Sequence, residues 1–252
     1  MADDTRATTS ICGYDADTIN IRGADLVNDL IGRVSFTEAW LLQALGQKPT
    51  ALQLKVVDAV MVTIMEHGLV PSAIATRITY HGAPESFQGA IAAGLLGVGD
   101  RYAGTASECG AVLERVAAAD DQTAQADAEV AAYRAKRRPL PGFGHPIHKG
   151  GDPRVNRLLA VCAEAGVEGR FIRAMQEVES ALCRALGRTL VTNISAAIGA
   201  ALAEAGVPSE MMRGVVLTAR CAGLVGHLLE EMRNPAAAAL WDGAAAAVSY
   251  EP

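Results

Sequence analysis

Apolar residues return every three or four positions along most of this chain, and that spacing restricts it to packed helices. Leu52, Val56, Val57, Val60, Ile64 and Met65 share one helix face, because 3.6 residues per turn bring such positions to the same side. The same period runs through residues 154–166, 170–186, 193–205 and 209–231. Pro153, Gly166, Gly187 and Gly206 mark its breaks, since proline and glycine are suited to helix ends rather than interiors. Ser35, with Glu38 three residues on, predicts a capping box before a helix over 37–45 that Gly46 ends. Further helices are predicted over 25–31, from a Ser72 cap toward Thr79, and over 84–96, 108–119 and 122–136. The 84–96 segment is rich in Gly and Ala and implies a close helix–helix or subunit contact. Residues 1–20 read as loosely ordered apart from an extended piece at 18–21, and Trp241 and Tyr250 read as anchors for an Ala-rich tail. No strand pattern of consequence and no repeat is present, so the expected fold class is all-α with about ten helices.

Half of the 252 residues are hydrophobic but only 4% are aromatic, so the core must be built from Ala, Leu, Val and Ile. A formal net charge of −6 argues against nonspecific nucleic-acid binding. Five dispersed cysteines, Cys12, Cys109, Cys162, Cys183 and Cys221, fit reduced thiols and a cytoplasmic setting, and their spacing matches no zinc site. Met1-Ala2-Asp3-Asp4 carries no apolar stretch of a secretory signal. The alanine runs at 236–239 and 244–247 are too short to span a bilayer, so no membrane partner is expected.

The helical pattern breaks over Leu140-Pro141-Gly142-Phe143-Gly144-His145-Pro146-Ile147-His148-Lys149-Gly150-Gly151-Asp152-Pro153-Arg154. Glycine and proline there hold a loop in which backbone amides and polar side chains can face a ligand. Lys136-Arg137-Arg138, just before it, either complements a helix dipole or meets phosphate.

This loop resembles the histidine loop of the citrate synthase superfamily, which includes the citryl-CoA lyases and the lyase module of ATP-citrate lyase. The resemblance continues in order through Ile31-Gly32-Arg33-Val34-Ser35, Glu66-His67-Gly68, the 93–104 stretch, Asn193-Ile194-Ser195, Ala219-Arg220-Cys221 and Gly226-His227-Leu228. It implies a large helical domain (1–104 with 205–252), a smaller one (105–204), and an active site between them. It also implies an acyl-CoA and a carboxylate as ligands, with the coenzyme A thioester as substrate rather than a covalently held cofactor, and a homodimer or higher homo-oligomer.

Residue by residue, His145 matches the histidine that handles the carbonyl or hydroxyl proton, a role suited to imidazole. Arg154 and Arg220 match arginines that grip carboxylate, for which a guanidinium fork is well shaped. His67 matches a position beside the site. Pro141, Gly142, Phe143, Gly144, Lys149 and Arg138 are the coenzyme A contacts that the resemblance implies. His148 matches no catalytic position of the family.

Three family positions are altered. The catalytic aspartate is replaced by Ser195, whose hydroxyl is no base without activation. The histidine that supports the enol falls near Ala103 or Gly104, and a further histidine of the ATP-citrate lyase module falls near Ala75. Asp100, His81, Glu85 and Glu108 are the polar residues near the altered stretch that could replace the base. The implied activity is making or cleaving a carbon–carbon bond between an acyl-CoA and a 2-oxo acid. The alternatives are a catalytically degenerate coenzyme A-binding homologue and an altered acyl-CoA reaction such as decarboxylation.

Overall fold

The computed structural model describes residues 7–144 and 151–251. Its N-terminal part is a small antiparallel meander, in which the extended piece expected at 18–21 is the middle strand and the rest is more ordered than the sequence suggests. Strands β1 (Cys12–Tyr14), β2 (Ile19–Ile21) and β3 (Ala24–Asp25) follow one another, with Cys12 opposite Ile21 and Asn20 opposite Asp25. Asp15 Oδ1 accepts the N–H groups of Asp17 (2.9 Å) and Thr18 (2.8 Å), which turns the chain between β1 and β2. The helix expected over 25–31 is a π-helical turn, Leu26–Leu30, capped by Asp25.

Eleven α-helices follow among the described residues. Helix α1 (Phe36–Leu45) has its cap at Ser35, whose Oγ accepts the Glu38 N–H at 3.1 Å. The reciprocal capping box is found instead at α2 (Ala51–Ile64), between Thr50 and Gln53. Helix α3 (Pro71–Gly82) starts with Pro71 at its first position, after a Val70 cap. Ser72 is therefore a buried first-turn residue and not the cap. Helix α4 (Phe87–Leu96) lies against α3 through its small residues. A Cβ on Gly94 would come within 2.0 Å of Thr76 Oγ1 and 2.9 Å of the Ser72 carbonyl, so this contact is made within the chain.

The remaining helices are α5 (Thr105–Ala118), α6 (Gln122–Ala135), α7 (Pro153–Ala165), α8 (Arg170–Leu186), α9 (Ile194–Glu204), α10 (Ser209–Arg233) and α11 (Ala237–Ala247). A second π-helical turn, Asp100–Gly104, leads into α5. Helix α9 is buried along nearly its whole length and joins two cores. Its Ala197, Ile198, Ala201 and Leu202 pack with α2, α7 and α10, whereas Ala196 and Ala200 pack with α5, α6 and α8. Small residues permit this: a Cβ on Gly199 would stand 3.2 Å from the Gly110 nitrogen on α5. Helix α10 is long and apolar enough to cross a bilayer, yet it carries Met212, Val215, Leu224 and Leu228 into the protein core.

The tail is not held by aromatic anchors. Trp241 is 64% and Tyr250 89% exposed. Instead the buried Glu231 carboxylate accepts the N–H groups of Ala236 and Ala237, at 3.0 and 2.8 Å, at the start of α11. A carboxylate there satisfies donors that have no partner inside the helix and faces the positive end of its dipole.

Candidate active site

The glycine loop is fastened to the start of α9. Asn193 caps that helix: its Oδ1 accepts the Ser195 N–H at 2.9 Å, and its Nδ2 donates to the Gly144 carbonyl at 2.8 Å. The Asn193 N–H donates to the Gly142 carbonyl (2.9 Å), and the Gly144 N–H to the Val191 carbonyl (2.7 Å). Gly142 has φ +92°, and a Cβ on it would lie 2.7 Å from that of Ala196. Both the dihedral angle and the close approach require glycine. Gly142→Ala is expected to lower stability by about 1–3 kcal/mol, read as a lower urea midpoint.

Beside this junction lies a cavity of about 330 Å³. Its wall includes Gly142 and Gly144, the start of α9, His67 before α3, Arg101, Tyr102 and Thr105 around the second π-helical turn, Arg154 on α7 and Arg220 on α10. Among the described residues no aspartate or glutamate lines it.

The three arginines differ in how they are held. Asp152, itself buried, caps α7 and takes Arg154 in a two-pronged pair, with Nε to Oδ1 at 3.0 Å and Nη2 to Oδ2 at 2.7 Å. Arg220 is 7% exposed, and its buried Nη1 has no hydrogen-bond partner among the described residues. Burial pulls its guanidinium below the ordinary arginine range, partly offset by the charge of Glu66. A buried, charged donor without an acceptor is costly, so its retention points to an anionic ligand. Arg101, exposed at the cavity wall, was not among the residues singled out from the sequence. Only its position beside the altered family histidine could have marked it.

Ser195 Oγ lies 3.1 Å from Thr105 Oγ1, which lies 2.8 Å from the Tyr102 carbonyl. A carbonyl only accepts, so the Thr105 proton goes to Tyr102 and the proton shared with Ser195 is the serine's own. Ser195 is thus a hydroxyl donor held by another hydroxyl, at the N-terminal end of a helix. Ala103 and Gly104 are buried in the turn, and the residues of this turn that line the cavity are Arg101 and Tyr102.

None of the four polar substitutes suggested by the sequence lines the cavity. Asp100 pairs with Arg213 at 2.7 Å, and Glu108 accepts from Tyr133 at 2.8 Å and Arg138 at 2.9 Å. His81 packs edge-on to Trp241, and Glu85 is exposed. Arg138, bound to Glu108 and stacked on Tyr133, does not line the cavity either. Within the loop, Pro141 is buried and Phe143 packs into the second core, so the two glycines reach the cavity. Burial pushes the Cys109 thiol up to about 12 and that of Cys162 up to about 11, which leaves neither as a thiolate near neutrality. No group of metal-ligating side chains occurs among the described residues. His145, His148 and Lys149 lie outside the described residues.

Helix for helix, this architecture is similar to the citryl-CoA lyase of Hydrogenobacter thermophilus. The two superpose with a TM-score of 0.82 at 29% identity, over 90% of this chain and 88% of that one. The ATP citrate lyase of Methanosaeta concilii, solved in complex with (3S)-citryl-CoA, shares the fold with a TM-score of 0.78 at 20% identity, over 100% of this chain and 42% of that one. The citrate synthase of Heyndrickxia coagulans is 25% identical over 205 residues, 80% of this chain and 53% of that protein. The chain spans about half the length of the curated relatives that it matches. The family model for the citrate synthase C-terminal domain matches residues 32–240, and the chain belongs to the citrate synthase family.

Proposed function

We propose that this chain is an acyl-CoA enzyme of the citrate type. It cleaves, or in reverse forms, the carbon–carbon bond between an acyl-CoA and a 2-oxo acid, with citryl-CoA or a related 3-hydroxyacyl-CoA as substrate. The observation that carries this reading is Arg220, a buried guanidinium with an unpaired Nη1 on a cavity shared with Arg154 and His67. Guanidinium groups on this wall, Arg220 and Arg101 together with Arg154 beside Asp152, suit a substrate with several carboxylates. The 29% identity to a citryl-CoA lyase, over nearly the whole of both chains, supports the same reading.

In cleavage, a base takes the substrate's hydroxyl proton and the carbon–carbon bond breaks. The electron pair moves into the thioester as an enolate while the hydroxyl carbon becomes the ketone of the 2-oxo acid. A proton from solvent then joins the enolate carbon, giving the acyl-CoA, and the base returns its own proton to solvent. His145 is assigned the hydroxyl proton, and Arg154 and Arg220 the carboxylates, with His67 beside them. Tyr102, which lines the cavity, is assigned to the enolate oxygen through its hydroxyl. Ser195, whose own proton is committed to Thr105, is not a base. The proton that synthesis removes from carbon is the one that cleavage returns to it, so the loss of the aspartate bears on both directions alike.

Coenzyme A is assigned to the 139–149 loop through Pro141, Gly142, Phe143, Gly144 and Lys149, with Arg138 at its edge. The domain division 1–104 with 205–252 against 105–204 draws support from the separate core of α5, α6 and α8. A cytoplasmic homodimer completes the proposal.

The test is to mix the purified chain with citryl-CoA and follow release of oxaloacetate and acetyl-CoA. Release is expected, lost in His145→Ala, with kcat reduced about 10²-fold and KM unchanged in Tyr102→Phe. Binding of citryl-CoA without cleavage would replace this reading with a coenzyme A-binding homologue or a decarboxylating enzyme. Ser195 in place of the family aspartate is the observation that favours that second reading.

A further inference from the structure

Glu66 stands between two groups that compete for its carboxylate. Helix α10 carries Arg220, Gly223 and His227 at i, i+3 and i+7, which places them on one face. Glu66 lies over the middle of this row. A Cβ on Gly223 would be 3.1 Å from Glu66 Oε2 and 2.2 Å from the Met65 carbonyl, so only glycine lets this segment approach the helix.

Toward the C-terminal end of the row, Glu66 Oε2 is 3.0 Å from His227 Nε2, with the ring N–H off the line of contact. Toward the other end stands Arg220, which feels the Glu66 charge. The second carboxylate oxygen, Oε1, accepts the N–H groups of His67 at 2.8 Å and Gly68 at 2.6 Å. Burial pushes the Glu66 carboxyl up, but His227 and these backbone donors together take it below the usual carboxylate range. The imidazole is itself braced. Arg77 Nε donates to His227 Nδ1 at 3.0 Å, which puts the ring proton on Nε2, facing Glu66. Arg77 is in turn held by Glu231 at 2.7 Å and by Glu230.

We propose that Glu66 is a built-in competitor for Arg220, and that His227, braced by Arg77, holds it off so that Arg220 stays open to a ligand carboxylate. His227 is a positioning residue and acts through Glu66. The inference rests on reading the cavity as a carboxylate site. A carboxylate seated over Gly223, three residues along α10 from a buried guanidinium with an unpaired Nη1, is drawn toward that charge unless it has other partners. Two backbone N–H groups donate to Oε1, and the imidazole stands against Oε2. With the imidazole removed, Oε2 loses its partner, and Arg220 is the cation beside it.

The experiment is calorimetric titration of the whole chain with oxaloacetate and with citrate, in the wild type, His227→Gln, Glu66→Gln and the double variant. His227→Gln is expected to bind about tenfold more weakly, which corresponds to about 1.4 kcal/mol. Glu66→Gln keeps the acceptor for His67 and Gly68 and is expected to bind at least as tightly as wild type. The double variant is expected to recover the affinity of Glu66→Gln, which a merely structural loss at 227 would not allow. Unchanged affinity in His227→Gln, no recovery in the double variant, or weaker binding in Glu66→Gln would each overturn the inference and leave the carboxylate site standing. If His227→Gln does not fold, Glu66→Gln decides alone. Failure of the wild type to bind either probe would instead overturn the carboxylate reading, and this inference with it.

Discussion

Arg220→Met is expected to weaken binding of citrate or oxaloacetate by about 10²–10³-fold, as follows from removing one partner of a buried, charge-assisted contact. Titration calorimetry reads this directly. The same substitution is expected to leave the denaturation midpoint unchanged or to raise it. The reason lies in how the residue sits: it is 7% exposed, its Nη1 has no partner among the described residues, and burial already pulls its guanidinium down. In the folded protein without ligand that charge is a cost, and an apolar side chain of similar length removes it. Lost affinity with retained stability separates a binding residue from a structural one. A large fall in stability with affinity retained would make Arg220 a structural ion-pair residue and remove the observation on which the proposed function stands.

Arg77→Met is expected to do the opposite, lowering stability by about 3–5 kcal/mol at neutral pH, the range for a buried charge deprived of its partner. Arg77 and Glu231 have side chains only 3% exposed each and pair at 2.7 Å. The stranded group would be Glu231, which also holds the start of α11. The pH dependence follows from the same contact. Burial pushes the Glu231 carboxyl up, but Arg77 and the Ala236 and Ala237 N–H groups bring it below the usual carboxylate range. A carboxyl lowered by folding stabilises fully above its unfolded pKa, and that contribution is lost as pH falls through the folded one. Without Arg77 the folded value rises, and Glu231 can protonate in mild acid. The stability gap between wild type and Arg77→Met is therefore expected to be widest near neutrality and to narrow toward acid pH. Urea denaturation at several pH values tests this, and a gap that widened in acid would contradict it.

The helices were largely legible because their signals are local. Periodic apolar residues, the Ser35 cap and the Gly46, Gly166 and Gly187 stops act within a few residues of themselves. Boundaries slipped where two local signals competed. At α3, Pro71 is suited to the first helical position and displaced Ser72 as the starting residue. Of the N-terminal meander only the middle strand was legible, as the extended piece at 18–21, because strands of two or three residues are too short to show an alternation. Trp241 and Tyr250 misled because aromatic residues usually anchor, whereas α11 is held by a carboxylate at its start.

The candidate site divides along the same line. By itself the sequence determined the helical class, the glycine loop, the Ser35 cap, and the presence of Arg154 and Arg220 with serine at position 195. Each is a matter of residue type and near neighbours. The Arg154–Asp152 pair spans only two residues, whereas tertiary structure alone decided that Arg220 Nη1 is left open, and that Tyr102, not Ala103 or Gly104, lines the cavity. It alone brought Ser195 to Thr105, 90 positions away, and His227 to Arg77, 150 positions away. Such contacts form where helices cross, so they leave no period or spacing along the chain. Whether a buried charge has a partner there sets its free energy, and with it the chemistry that the site can offer.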